Sequence, residues 1–239
     1  MQKQIIIDSR MRKVEKEYLR SSGYKIIEIP TNNLVYPEIS SHVDIFCSKI
    51  DDNIFLEPTV FNHFKNKSYN LKNLICGKKQ VIGKYPLDIP YNICQIGKNI
   101  IHNFKYTDDK ILEYIIKNNL NKIDIKQGYS NCSIAVISEN SAIVSDRNIA
   151  RILEKNNIKV LLLDKSLDIK LLKNNNSYSK MNGFIGGCMA RIGSKIIVFG
   201  DLEKIEEGNS IRDFIKKQKI ELIEFKGYDL IDYGGIIIP

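Results

Sequence analysis

The feature that most constrains the fold of this chain of 239 residues is that it repeats itself. From Cys132 to Leu163 it runs through an alternating strand (CSIAVI), a turn at Ser138-Glu139-Asn140, a second strand (SAIVS), a helix (DRNIARILEKNN) and a third strand (IKVLLL). Strands show as alternation because successive extended side chains face opposite ways. Ile149, Ile152 and Leu153 supply the helical stripe, and Asp146 suits the helix N-cap. The same order recurs from Tyr91 (NICQI, Gly97-Lys98-Asn99, IIHNF, ILEYIIKNN, KIDI) and from Cys188 (CMARI, Gly193-Ser194-Lys195, IIVFG, a helix IRDFIKKQ capped near Ser210, IELIEF). A copy from Val43 reads VDIFCSKI, Asp51-Asp52-Asn53, IFLEP, a helix near Thr59 to Phe64 and the strand NLICG.

A unit of this size cannot bury its apolar faces alone, so repeats stack on one another. The remaining copy is divided between the chain ends. Tyr228 to Pro239 (YDLIDYGGIIIP) offers an opening strand and a Gly-Gly turn, and the N-terminus supplies QIIID, the helix RMRKVEKEYLRSSG and the strand YKIIEI. Joined, they complete a unit. An open α/β sheet would need parallel crossovers throughout, whereas each unit here begins with an antiparallel hairpin. The pattern predicts a single α/β domain over residues 1–239: a five-bladed α/β propeller with one blade closed by both termini, since radial closure protects sheet edges.

Charged residues Asp8, Arg10, Arg12, Lys13, Glu15 and Lys16 break any apolar signal core, and no later segment has the apolar length of a membrane span. The expectation is a cytoplasmic protein. Five cysteines without CxxC spacing argue against a disulfide framework or a zinc knuckle. The net charge of +8 is lysine spread evenly among carboxylates, which argues against nucleic acid as a partner. Oligomeric state is not read from the sequence.

Within SSHVDIFCSK, a strand would place His42, Asp44, Phe46 and Ser48 on one face. In a propeller the heads of the inner strands converge on a central channel, where such polar groups meet a ligand rather than a core.

These residues resemble the guanidino-group-modifying enzymes of the pentein fold, which include arginine deiminase and dimethylarginine dimethylaminohydrolase. His42-Val43-Asp44-Ile45-Phe46 is similar to the family's His-Leu-Asp segment with its downstream Phe. Asn131-Cys132-Ser133 looks like its nucleophile segment, two blades later. Phe184-Ile185-Gly186-Gly187-Cys188 resembles the acid-Gly-Gly-Asp segment, although Ile185 and Cys188 stand where the family carries acids. Asp229-Leu230-Ile231-Asp232 resembles the strand with the guanidinium-binding carboxylate. The blade order is circularly permuted, and the chain also resembles a clostridial group assigned this fold but no activity.

The resemblance implies a reaction. Cys132 would attack an amidine or guanidinium carbon and His42 would act as acid and base, giving a covalent adduct in a hydrolase or an amidinotransferase. Asp44 and Asp232 would bind the guanidinium, because carboxylates match its planar fork of donors. Asp229 and Cys188 complete the expected substrate-binding set, and Asp88, before the unit that opens at Tyr91, is a candidate to compensate for the acid missing at Ile185, which the sequence does not place. A small guanidine or amidine is the expected partner, and no cofactor or metal is required. A soft-metal site built from Cys94, Cys132, Cys188 and His42 is a lesser alternative. The rival functional reading is a catalytically inactive binding protein, since the ribosomal anti-association factor of eukaryotes and archaea uses this fold to bind. His63 and His102 are assigned no role, and Gly186-Gly187 and Gly234-Gly235 lack the Lys-Ser/Thr or helix start of phosphate loops.

Overall fold

The computed structural model describes residues 3–239 except Ser68 and Asn70. Its elements follow the repeat. The N-terminal half-unit is β1 (Lys3–Asp8), α1 (Lys13–Ser21) and β2 (Tyr24–Ile29). Next come α2 (Val43–Phe46), β3 (Cys47–Ile50), β4 (Asn53–Leu56), α3 (Pro58–Asn66) and β5 (Leu74–Cys76). The third unit holds β6 (Cys94–Ile96), β7 (Asn99–His102), α4 (Asp109–Lys117) and β8 (Asn121–Asp124). The fourth holds α5 (Ser130–Ser133), β9 (Ile134–Ser138), β10 (Ser141–Val144), α6 (Arg147–Lys155) and β11 (Lys159–Leu162). An unforeseen hairpin, β12 (Lys170–Leu172) and β13 (Tyr178–Asn182), precedes the last unit of β14 (Met189–Ile192), β15 (Lys195–Val198), α7 (Gly208–Lys216) and β16 (Glu221–Glu224).

In each full unit the first two strands pair antiparallel and the third adds parallel to the middle one. The middle strand is the most buried, as in Ala142-Ile143-Val144, because it has a neighbour on each edge and a helix over one face. Each fully buried Ile contributes about 1.5–3 kcal/mol relative to exposure, so these strands carry much of the core. Helix starts are set by carboxylates: Glu57 accepts from the N–H of Thr59 and Val60, Asp108 from Lys110, and Asp146 from Asn148 and Ile149. Helix ends explain part of the asparagine content. Asn119 and Asn157 adopt left-handed φ of 52° and 60° one residue past the caps of α4 and α6. The next N–H then reaches back over the turn, Leu120 to Ile115 at 3.1 Å and Ile158 to Leu153 at 3.1 Å, which is the Schellman geometry.

Three sequence expectations need correction. VDIF is not the start of a strand but a single helical turn, and so is SNCS; the strands begin only at Cys47 and Ile134. A turn lets the backbone at a unit's head fold inward, where an extended chain would have carried it past. The helix expected from a cap near Ser210 starts earlier, at Gly208 after Glu207. The segment after Tyr228 forms no regular opening strand. It makes isolated bridges, Ile231 with Lys170 and Ile237 with Ile6, because Gly234 and Gly235 both take positive φ (67° and 69°) and break the ladder.

Neighbouring units touch through their first strands: β3 with β6, β6 with β9, and β9 with β14. Between β14 and α2 runs the C-terminal segment, where Tyr233 N–H donates to the Gly187 carbonyl at 3.0 Å and Val43 N–H to the Tyr233 carbonyl at 3.3 Å. The hairpin tips lie at one end of these strands and the α2 and α5 turns at the other. No helix among the described residues is long and apolar enough to cross a membrane.

Candidate active site

The α2 and α5 turns and the C-terminal segment bring His42, Asp44, Cys132 and Asp232 together, although they span much of the chain. All four are 1–3% exposed. His42 is the residue before α2, Asp44 sits in its first turn, and Cys132 lies in α5. The Cys132 Sγ is 2.7 Å from Asp44 Oδ2, and the Asn131 side-chain amide donates to the same oxygen at 3.1 Å. A contact that short requires a proton between the groups, since a thiolate and a carboxylate at this distance would repel. Asp232 accepts from the backbone N–H of Phe184 and of Gly234, each at 2.8 Å, and stands 3.8 Å from His42 Nδ1.

Two glycines make room for these carboxylates. A Cβ at Gly187 would fall 1.8 Å from Asp232 Oδ1, and one at Gly234 would fall 2.4 Å from Asp44 Oδ1. Gly187 and Gly234 are therefore close approaches to buried acids, and Gly234 is not the turn of a two-strand hairpin.

Burial dominates the electrostatics. It pushes the Cys132 thiol well above its ordinary range, and the charges of Asp44 and Asp232 push it further. Burial also raises Asp44, against hydrogen bonds from Cys132, Asn131 and Asn92, and raises Asp232, against the attraction of His42. It lowers His42, with Asp232 opposing, so the imidazole is held neutral. Neither His42 nitrogen has a hydrogen-bond partner, and Asp44 Oδ1 has none. Buried polar atoms left this way are uncommon and point to a missing ligand or water.

The expected substrate-binding set divides. Asp44 and Asp232 are in the cluster. Asp229 is not: half-buried, it accepts from the Tyr178 hydroxyl at 3.2 Å and lies 3.7 Å from the Lys204 ammonium. Cys188 is next to Gly187 but turns into the apolar core with Ile185, donating to the Ile185 carbonyl at 3.2 Å. Cys94 is buried in another apolar cluster with Ile96 and Ala142, and burial raises its thiol. The ligand atoms of His42, Asp44 and Cys132 all lie within 4.8 Å of one another, a set that could hold a soft metal ion.

Sequence reasoning missed two supporting groups. Asn92, buried at the head of the third unit, accepts from the N–H of Asn131 at 2.8 Å and of Cys132 at 3.4 Å, and its amide donates to the Cys132 sulfur at 3.4 Å. It was findable, because it stands two residues before β6, as Cys132 stands two residues before β9. The other is a clamp behind His42. Arg10 grips Asp8 through two nitrogens and also donates to the carbonyls of Pro37, Glu38 and Leu172, while Ser41 Oγ donates to Asp8 Oδ1 at 2.7 Å. Burial works to raise Asp8, but Arg10 prevails and holds it below the usual carboxylate range.

One cavity reaches the cluster. It has a volume of about 540 Å³, opens among the hairpin tips near Asp51, Gln95 and Arg191, and ends at Asp44, Asn131 and Gly234. A larger hollow of about 670 Å³, by Tyr18, Tyr24 and Lys195, contains none of the clustered groups.

The model of a family of unknown function, DUF6873, matches residues 6–237. No curated protein matches the sequence. Among solved structures, the chain is similar to a dimethylarginine dimethylaminohydrolase in its adduct with S-methyl-L-thiocitrulline (11% identity, TM-score 0.56, 96% of this chain and 93% of that one). It is also similar to the dimethylarginine dimethylaminohydrolase of Pseudomonas aeruginosa complexed with citrulline (10%, TM-score 0.56, 96% and 93%). A third is the agmatine deiminase of C. jejuni (10%, TM-score 0.53, 93% and 87%). These are pentein-fold guanidino-modifying enzymes, so the mixed α/β fold is the one the motifs resemble. At such identities the likeness is one of fold.

Proposed function

The chain belongs to the family of unknown function DUF6873, and we propose that it is a cysteine-dependent enzyme acting on a C–N bond of a guanidine or amidine, as a hydrolase or an amidinotransferase. We read it as one domain, a circularly permuted five-bladed α/β propeller completed by both chain ends, in the cytoplasm. The order of touching units supports the ring, and five free cysteines fit a reducing compartment. The observation that carries the function is the meeting of Cys132, His42, Asp44 and Asp232 from three different units, with both imidazole nitrogens free of partners.

The chemistry follows from the charges. Two buried carboxylates favour a cation, and a guanidinium between Asp44 and Asp232 would release the thiol from Asp44. Cys132 then gives its proton to neutral His42 and its sulfur adds to the central carbon. As the C–N bond breaks, the departing amine takes that proton. His42 next removes a proton from water, whose oxygen adds to the carbon while the C–S bond breaks; the remaining hydroxyl proton leaves with the amine, giving a urea from a guanidine, and His42 returns its proton to the Cys132 thiolate, restoring the thiol. In a transferase an acceptor amine replaces the water.

The test is incubation with 2-chloroacetamidine followed by mass mapping. Cys132 displaces chloride and is labelled ahead of the other four cysteines, and His42→Ala slows this labelling. Equal labelling of all five thiols would remove the reading. One observation favours the second reading, a binding protein that has lost the chemistry: the cluster is buried and Ile185 and Cys188 are apolar filling where the family has acids. Selective capture of a guanidine without adduct or turnover would support it.

A further inference from the structure

His42, Asp44 and Cys132 stand at the heads of their units, and that end of the molecule is covered. The connections leading to the heads are bonded to one another: Gly83 N–H donates to the Leu34 carbonyl at 2.5 Å, and Ser179 Oγ on β13 donates to Glu38 Oε1 at 2.8 Å. Beneath them Ser40, Ser41 and His42 are buried. Tyr129 packs between Tyr85 and Phe184, ring to ring at 5.7 and 6.1 Å, and the Phe184 N–H binds Asp232. A solute entering from this side would have to break these contacts.

The other end is not closed. The cavity of about 540 Å³ leads from the hairpin tips, where Lys49 and Arg191 line it, to Asp44. Two of its lining residues carry buried oxygens without partners, Ser48 Oγ and Asp44 Oδ1, and the other Asp44 oxygen holds the Cys132 sulfur at 2.7 Å. A polar space of this size admits water and small solutes. One carboxylate therefore separates the floor of the cavity from the thiol, and Gly234, with no Cβ to crowd Asp44 Oδ1, keeps that floor clear. The mouth is charged. Lys49 Nζ donates to the Ile238 carbonyl at 2.7 Å and the exposed Arg191 donates through Nε to the Gly193 carbonyl at 3.1 Å, so both bond to backbone and keep their charge. Of the acids on the same rim, Asp51 is occupied by Gln95 and Tyr114, which leaves Glu139 to offset one of the two cations.

We infer that small solutes reach Cys132 from the hairpin-tip end of the molecule, and that Arg191 at the mouth determines which charge passes. The route is a property of the fold and holds whether or not Cys132 turns a substrate over. Mouth and floor sort solutes in opposite senses: Asp44 draws a cation inward, while Arg191 and Lys49 retard it at the rim and favour the approach of an anion.

The test compares alkylation of Cys132 by cationic 2-chloroacetamidine and anionic iodoacetate, followed by mass mapping. In both reactions the sulfur displaces a halide, so the ratio of the two rates cancels the thiolate population. At an ionic strength of about 0.1 M the Debye length is about 10 Å, and charges far from the path are screened. Arg191→Glu raises the cation-to-anion rate ratio at least about 5-fold, the scale of reversing one charge within a Debye length of the path. Lys84→Glu, the same reversal at an exposed position beside Tyr85 on the covered end, leaves the ratio unchanged. Ser48→Leu, checked for folding by its melting temperature, fills the inner end and slows both reagents alike. A ratio that Arg191→Glu does not move, or that Lys84→Glu moves as far, would overturn the inference. So would a folded Ser48→Leu that labels at the original rates, or a Cys132 that neither reagent labels. Cys132 labelled no faster than the other four thiols, with a ratio that still follows residue 191, would instead remove the enzyme reading and leave the route standing.

Discussion

Substituting Asp44→Asn isolates the electrostatics of the nucleophile. The carboxylate is 2.7 Å from the Cys132 sulfur and both groups are buried, so Asp44 holds the thiol proton by a hydrogen bond and by opposing the thiolate charge. Two unit charges about 4 Å apart at an effective dielectric of about 20 interact by about 4 kcal/mol. If relaxation leaves only a third of that, about 1.4 kcal/mol remains, and the thiolate population at pH 7 rises at least about 10-fold. The assay is thiolate absorbance against pH, with Cys132→Ser in each background as the blank. Asp44→Asn moves the Cys132 midpoint down. A matched pair of alkylators gives the second readout: neutral 2-chloroacetamide labels Cys132 faster in Asp44→Asn, while cationic 2-chloroacetamidine loses its advantage because its counter-charge is gone. A folded variant with an unmoved midpoint would refute the claim that this carboxylate keeps the thiol protonated.

Gly187→Ala places a methyl group 1.8 Å from Asp232 Oδ1, so the carboxylate must shift from its bonds to the N–H of Phe184 and Gly234. It should cost about 1–3 kcal/mol in denaturant titration and slow amidine labelling of Cys132; Gly193→Ala, which meets nothing within 4 Å, strains a turn at φ 59° and leaves labelling unchanged. His102, buried in β7 with Nδ1 2.6 Å from Thr107 Oγ1, is lowered by burial from 6.5 to about 4. The unfolded imidazole therefore binds a proton that the folded one refuses between those values. Stability falls as pH drops from 6.5 towards 4 and levels off below, by up to about 3 kcal/mol in all. Melting temperature against pH should lose that component of slope in His102→Gln; an unchanged slope would show that His102 is not its source.

The repeat was legible because its signals are local. Alternation marks β9 and β10, the stripe of Ile149 and Leu153 marks α6, and Asp146 marks its cap, and the same reasoning placed the elements of the other units. The heads of the units were not legible as structure. VDIF and SNCS look extended because they run into the apolar strand pattern that follows, but tertiary contacts at a crowded convergence fold them into single turns. A four-residue turn has too little sequence to announce itself. Asp229 was chosen with Asp232 because both stand in the segment that resembles the carboxylate-bearing strand, although residues three apart on a strand face opposite ways. The bridge of Ile231 to Lys170 and the positive φ of Gly234 turn only Asp232 inward. The hairpin of β12 and β13 falls in a stretch of Lys, Asn and Ser whose weak alternation gives little signal.

The cluster is also a cost to the fold, and that cost bears on its purpose. Burying a polar atom without a partner sacrifices about 1–3 kcal/mol, and His42 leaves two such atoms and Asp44 one. The chain stabilises this arrangement elsewhere: the Arg10–Asp8 clamp fixes the approach to His42, Asn92 closes the α5 turn over Cys132, and Gly187 and Gly234 clear the volume the acids need. Had the centre only to be filled, apolar side chains such as Ile185 and Cys188 would do so without these supports, as they do on one side of it. Conserving charge and unpaired atoms on the other side is consistent with a ligand that supplies the missing donors and a positive charge. Such a ligand should raise the melting temperature in proportion to the logarithm of its concentration above its dissociation constant. A guanidine that labels or protects Cys132 without stabilising the fold would mean it binds outside the cluster.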